Sequence, residues 1–161
     1  MTVTEQGSNN GIWRSNDGGA TWAQVTATFP DPAPFGRTSL AISPSNPNVI
    51  YVFAENENSG SNDLLLGVFR SADGGTTWTN ITGSEFAKEG QISYGNTITV
   101  HPTDPNTVIC GGVDLHLSTD GGATWTQVTH WDSDRGKPDY AHADHHAVVT
   151  GVSTFPQAAA A

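Results

Sequence analysis

Residues 67–82 read GVFRSADGGTTWTNIT. Residues 11–26 read GIWRSNDGGATWAQVT, and residues 114–129 read DLHLSTDGGATWTQVT. The shared core is Ser-x-Asp-Gly-Gly-x-Thr-Trp, at 15–22, 71–78 and 118–125. Asp73 follows Asp17 by 56 positions, and Asp120 follows Asp73 by 47. Recurrence at such a spacing is the mark of a repeat architecture. Asp-Gly between alternating apolar runs is a strong hairpin signal, because glycine accepts positive φ.

A second element recurs upstream of the last two copies. Residues 40–52 read LAISPSNPNVIYV and residues 98–110 read ITVHPTDPNTVIC, with Pro44, Pro47 and Asn48 matching Pro102, Pro105 and Asn106. Each unit therefore parses into four strands. Strand one alternates apolar residues (Leu40 and Ile42, or Ile98 and Val100). A Pro-x-x-Pro-Asn turn stops its ladder. Strand two spans 49–54 or 107–110, strand three 65–70 or 114–117, and strand four 77–82 or 124–129. Most of the difference in spacing is an insertion at 55–65. Four strands per repeat of this length describe a propeller blade. The fold expected is all-β: antiparallel four-stranded blades, about three of them.

The domain reading follows from that register. Residues 1–152 form a partial propeller. Residues 1–30 supply only strands three and four of one blade, 37–83 a whole blade and 92–130 another. Residues 142–152 supply strand one of a further blade, and 153–161 are a tail outside the fold. A closed ring takes roughly 4–8 blades. The stretch therefore reads as a fragment of a longer propeller, or as a chain whose copies close the ring as a homo-oligomer.

Composition agrees. The 161 residues hold 18 Gly and 9 Pro, with 35% hydrophobic and 14% charged residues. That excludes a coiled coil or a helical bundle. No apolar run approaches the roughly 18 residues of a spanning helix. Six basic against sixteen acidic residues leave a net charge of -10, which repels nucleic acid. Cys110 is the one cysteine. It aligns with Val52 and reads as a small buried hydrophobe. Residues 1–10 are polar and do not read as a signal peptide.

The Ser-x-Asp-x-Gly-x-Thr-Trp signature resembles the Asp box, or BNR repeat, of sialidases, xyloglucanases, sortilin-type receptors and a photosystem assembly factor, all β-propellers. The resemblance covers about residues 11–150. It implies that Asp17, Asp73 and Asp120 lock hairpins rather than catalyse, and that Trp22, Trp78 and Trp125 pack between blades. It also implies a secreted or periplasmic parent. Sialidases hold a carboxylate with three arginines. Of Arg14, Arg37, Arg70 and Arg135, Arg14 and Arg70 sit beside the boxes, so a sialidase is disfavoured.

The ligand face of a propeller lies opposite the boxes. Segments 31–37, 55–63, 85–94 and 130–146 collect there. They carry Glu55, Glu57, Asp63, Glu85, Glu89, Asp132, Asp134, Asp139 and Asp144, each most simply a solvated loop acid. Two carboxylates across a groove are what glycoside hydrolysis requires. Residues 140–146, YAHADHH, are the densest cluster. On a strand, His142, Asp144 and His146 would share a face and His145 would point away. His145 aligns with Arg37 and Gly95 at the channel mouth. The cluster is similar to a His-Ala/Val-Asp-x-His-Ala segment of bacterial Asp-box glycosyl hydrolases.

The leading functional reading is thus a carbohydrate-active propeller, part of a xyloglucanase-like glycoside hydrolase acting on a polysaccharide, with no cofactor. Its candidate catalytic residues are Asp144, Asp132, Asp134 and His142. Its candidate substrate contacts are Trp131, Tyr140, His145, His146, Arg37 and Tyr94, with Trp131 free to stack on a sugar. A second reading is a non-catalytic scaffold or receptor module that binds protein or peptide. A weaker one is a metal site at His142, Asp144 and His146.

Overall fold

A computed structural model describes residues 2–4, 11–26, 28–29, 34–62 and 64–151, although the side chains of 2–4 and 60–62 are not described. The expected tail at 153–161, and Asp31 and Asp63 of the loop face, lie outside the described residues. No helix among the described residues is long and apolar enough to cross a membrane.

Among the described residues, eleven strands form three antiparallel sheets. The first holds β1 (Thr2–Thr4), β2 (Gly11–Arg14) and β3 (Ala23–Gln24), in the order β1-β2-β3. The second is a meander of β4 (Phe35–Ile42), β5 (Ile50–Asn56), β6 (Leu65–Ser71) and β7 (Thr79–Asn80). The third repeats it with β8 (Thr97–Val100), β9 (Val108–Gly111), β10 (Leu115–Ser118) and β11 (Thr126–Gln127). These are propeller blades, as the repeat predicts.

Two expectations about the ends fail. Residues 1–30 contribute three strands, because Thr2–Thr4 pairs with β2 in the register Thr2 to Trp13 and Thr4 to Gly11. Residues 142–151 form no strand. Asp144 has φ +80°, which breaks an extended run at that position. The segment still lies against the third sheet. The His145 N–H donates to Gly112 O, and Thr150 Oγ1 donates to Val100 O.

Strand four is shorter than the sequence suggests. In the second sheet Ile81 N donates to Val68 O, but the Val68 N–H is taken by Thr82 Oγ1 at 2.8 Å instead of by a backbone carbonyl. The third sheet does the same: Val128 N donates to Leu115 O, and Leu115 N donates to Thr129 Oγ1 at 2.8 Å. A threonine hydroxyl ends each ladder with the donor satisfied.

The core sits between sheets. Ile50 to Ala54 of β5 are all buried. Ile50, Val52 and Ala54 face the first sheet, with Ile12, Phe69 and Trp78. Tyr51 and Phe53 face the third, with Val108, Cys110 and Trp125. A strand covered on both faces reads as a continuous apolar run, and VIYVFA is such a run.

The Asp-Gly-Gly hairpins are built alike. The threonine hydroxyls of Thr21, Thr77 and Thr124 each donate to Oδ2 of their aspartate at 2.6 Å. The serine hydroxyl donates to Oδ1 and accepts the second glycine's N–H at 2.8 Å. Both glycines of each turn have φ between 70° and 93°, a region open to glycine. These bonds, led by the threonine hydroxyl, hold Asp17, Asp73 and Asp120 at a pKa of about 2. Arg14 and Arg70 each reach the next sheet. Arg14 Nη1 donates to Gly74 O, and Arg70 Nη2 to Asn106 Oδ1.

The tryptophans differ by what lies in front of them. Trp78 is 5% exposed and Trp125 6%, each packed by the preceding sheet, whereas Trp22 is 44% exposed.

Candidate functional site

The strands run from the loop face to the hairpins, so the β5–β6, β9–β10 and inter-sheet connections share the end opposite the Asp-Gly-Gly turns. Of the acids expected there, Glu57, Glu85, Asp132 and Asp134 are exposed and Glu55, Asp139 and Asp144 half-buried, but Glu89 is buried. It is 5% exposed and follows a 3-10 helix at Ser84–Lys88. Its carboxylate accepts the N–H groups of Gly112, Val113 and Asp114 at 3.1–3.3 Å, and its Oε1 lies 3.0 Å from His116 Nε2. The β9–β10 loop is therefore wrapped around one buried carboxylate. Such a charge is tolerable when fully hydrogen-bonded.

Asp114, at the end of that loop, repeats the device one step further out. Its Oδ1 accepts the Trp131 N–H at 2.9 Å, and its Oδ2 accepts Gln127 Nε2 at 2.9 Å. Burial, the largest influence, pushes the Asp114 carboxyl above its ordinary range despite these donors. Gln127 Nε2 also lies 3.0 Å from His130 Nδ1. Over this frame is a cavity of about 270 Å³ whose wall includes Glu85, Asp114, His116, Trp131 and Asp132. The Trp131 indole is 53% exposed. His116 is 1% exposed, packs 4.3 Å centroid to centroid on Phe86, and leaves Nδ1 without a partner.

The sequence reading missed Asp114 and His116 and took Glu89 for a solvated acid. A signal was present. Asp114 and His116 align with Gly67 and Phe69 of the second copy, so the third copy puts polar groups where its sibling has none.

The expected site residues divide. Trp131 and Asp132 line the cavity. Asp134 and Tyr140 belong to the loop beyond it, where Lys137 N donates to Asp134 O and Tyr140 N to Lys137 O. Neither lines the cavity. Arg37, Tyr94 and His146 come together separately. Arg37 Nη1 donates to the carbonyls of Ser93 and Tyr94, and the His146 ring meets the Tyr94 ring edge-on at 4.7 Å. Beside them Gly36, Arg37, Glu55, Glu57 and Ser93 line an open cleft of about 450 Å³, and Arg37 N donates to Glu55 Oε2.

The shared face expected for His142, Asp144 and His146 does not form, because of the positive φ at Asp144. His142 Nδ1 lies 3.9 Å from Asp144 Oδ2 and 2.6 Å from Ala143 O, while His146 turns to Tyr94. Among the described residues no three His, Cys, Asp or Glu side chains form a metal-ligand group. His145 is half-buried, its Nε2 has no partner, and burial lowers its pKa.

No protein-family profile matches the chain. A xyloglucanase of Paenibacillus sp is 35% identical over 47% of this chain and 8% of its own length. A probable oligoxyloglucan-reducing end-specific xyloglucanase of Neosartorya fischeri is 31% identical over 94% of this chain and 17% of its own length. The chain thus spans less than a fifth of these curated relatives. Among solved structures, the GH74 enzyme of Niastella koreensis superposes with a TM-score of 0.57 at 23% identity, over 78% of this chain and 19% of that one. The GH74 xyloglucanase of Xanthomonas campestris does so with 0.56 at 23% identity, over 73% and 17%. These likenesses show the fold: the three sheets are blades of the kind that build GH74 propellers.

Proposed function

We propose that a chain built of these blades, and alike in sequence to xyloglucanases, is part of an Asp-box glycoside hydrolase that acts on a polysaccharide. The observation that carries this is the cavity on the loop face. An exposed indole, Trp131, borders it beside two exposed carboxylates, Glu85 and Asp132. Aromatic platforms with adjacent carboxylates suit the apolar face and the hydroxyl edge of a sugar.

In this reading two carboxylates divide the work. One protonates the glycosidic oxygen, and the other activates water or attacks the anomeric carbon. We assign these roles to Asp132 and Asp144. His142, 3.9 Å from Asp144, supports the latter. Neither Asp144 nor Asp134 is among the residues that line the cavity; Asp144 is preferred for the histidine beside it, and Asp134 is the weaker candidate. Tyr140, His145, His146, Arg37 and Tyr94 extend the substrate-facing surface.

The test is release of reducing ends from xyloglucan and from a panel of other β-glucans. Asp132→Ala and Asp144→Ala should each abolish it, while Asp73→Ala should lower stability and spare the chemistry. A folded, closed propeller assembly that contains this chain and turns over no glycan overturns the reading.

A further inference from the structure

We infer that His145 is a proton-operated latch: neutral, it holds residues 142–146 against the β9–β10 loop, and protonated, it lets them go. The segment carries His142 and Asp144, so the bearing of the latch on catalysis rests on the reading above, while the latch itself is a property of the fold.

Three observations carry it. The first is the contact. The His145 N–H donates to Gly112 O at 3.0 Å, and the Gly112 N–H donates in turn to the buried Glu89 carboxylate. Residues 142–151 form no strand, so no ladder backs this bond. The next tie to the third sheet is that of Thr150 Oγ1 to Val100 O.

The second is the ring. His145 is half-buried, and its Nε2 is closed off from solvent with no hydrogen-bond partner among the described residues. A neutral imidazole leaves one polar atom unmet there. An imidazolium carries a donor on both nitrogens and would bury a charged N–H with no acceptor, which costs far more. The groups that face the ring are Asp114 and Glu89 from the β9–β10 side, and Asp144 and His142 from its own segment. Glu89 and Asp114 already accept from backbone and side-chain donors, so neither can turn to the ring without leaving a donor unmet. Burial outweighs the pull of the three carboxylates and lowers the ring's pKa below its ordinary 6.5. Among the described residues, His142, Asp144 and His146 do not converge as a metal-ligand group.

The third is strain. Asp144, next to the latch, has φ +80°. A residue other than glycine keeps such a conformation only where its surroundings enforce it. Release of His145 frees Asp144 to relax, so opening is favoured once the ring is charged.

The sign follows from linkage. The closed segment binds the proton less well than the open one. Its hold is complete above the ordinary 6.5 and weakens as pH falls toward the lowered value, by up to about tenfold per pH unit for one proton.

The experiment is amide hydrogen exchange and a ring titration by NMR on the labelled chain, between about pH 7.5 and about pH 5, where histidine changes charge. Exchange rates are divided by the intrinsic rate at each pH. We expect protection of the His145 amide to fall about tenfold or more, with the midpoint of the His145 ring. The Ile81 amide, bonded to Val68 O in the second sheet, should keep its protection. His145→Gln cannot take the proton and should stay protected throughout. Asp144→Asn removes a facing carboxylate and should move the midpoint to lower pH. Protection that does not change with pH, an equal loss in His145→Gln, or an amide midpoint separate from that of the ring overturns the latch. If His145→Gln does not fold, the two midpoints in the native chain decide alone. Reducing-end release is read separately, on a closed assembly that contains the chain. A pH-switched amide with no turnover upholds the latch and overturns the polysaccharide reading, and turnover with a pH-independent amide does the reverse.

Discussion

His116 occupies in the third sheet the repeat position that Phe69 occupies in the second, and its Nε2 lies 3.0 Å from the Glu89 carboxylate. Phe69 packs with Phe29, Phe35 and Trp78. His116 keeps the aromatic contact, against Phe86, and adds a polar one. His116 thus joins the Gly112, Val113 and Asp114 N–H groups around the one buried carboxylate that organises the β9–β10 loop.

The inter-sheet tryptophans should contribute unequally. Trp78→Ala removes a buried indole and should cost about 3–5 kcal/mol. Trp22→Ala removes a half-exposed one and should cost roughly 1 kcal/mol or less. Urea denaturation of the two variants checks this, and equal losses would contradict the packing described.

Acid should unfold the chain through its hairpins. Hydrogen bonds hold Asp17, Asp73 and Asp120 at about 2, below their ordinary value of 3.8. A depressed acid stabilises the fold above the unfolded value, and that stability is lost as pH falls through the folded one. The thermal midpoint should therefore drop between about pH 4 and pH 2, and less steeply in Asp73→Asn. A smaller loss should begin nearer neutrality. Burial lowers His145 below its usual 6.5, so the unfolded chain takes up that proton first as pH falls. His145→Gln should remove it.

The threonines that end the ladders should matter beyond their volume. Thr82→Val and Thr129→Val each leave a partly buried N–H, of Val68 or Leu115, without its acceptor. Each should destabilise by about 1–3 kcal/mol. Amide exchange at Val68 and Leu115 should speed up in the matching variant only.

Cys110 should be inert. It is fully buried, and burial pushes its thiol well above the ordinary value. Thiolate is the reactive form. A thiol reagent should label the chain only in denaturant, and fast labelling of the native chain would refute the packing of β9.

Much of the fold was legible because it is local. The Asp-Gly-Gly turn bonds residues within four positions of one another, and neighbouring strands follow one another in the chain. Strand ends were less legible. Thr82 and Thr129 replace a backbone acceptor with a hydroxyl, which alternation of apolar residues does not register. At 142–151 the pattern suits a strand, yet Asp144 takes a positive φ and no ladder forms. Of the site, Trp131 and Asp132 were legible as loop residues opposite the turns. The spacing of YAHADHH suggested a shared face for its side chains that the backbone does not build.

By itself, the sequence determined the repeat, the hairpins, the order of strands and the end of the sheets where the loops gather, because each depends on residues close in the chain. Tertiary structure decided which of three equivalent tryptophans is covered, since that depends on whether a sheet stands in front of it. It also decided that Glu89 is buried. Its partners lie 23 to 27 positions away, in the third sheet's β9–β10 loop and in β10. A carboxylate in a polar loop looks the same in sequence whether water or a ring of backbone N–H groups surrounds it, and only the packing of one sheet on the next determines which.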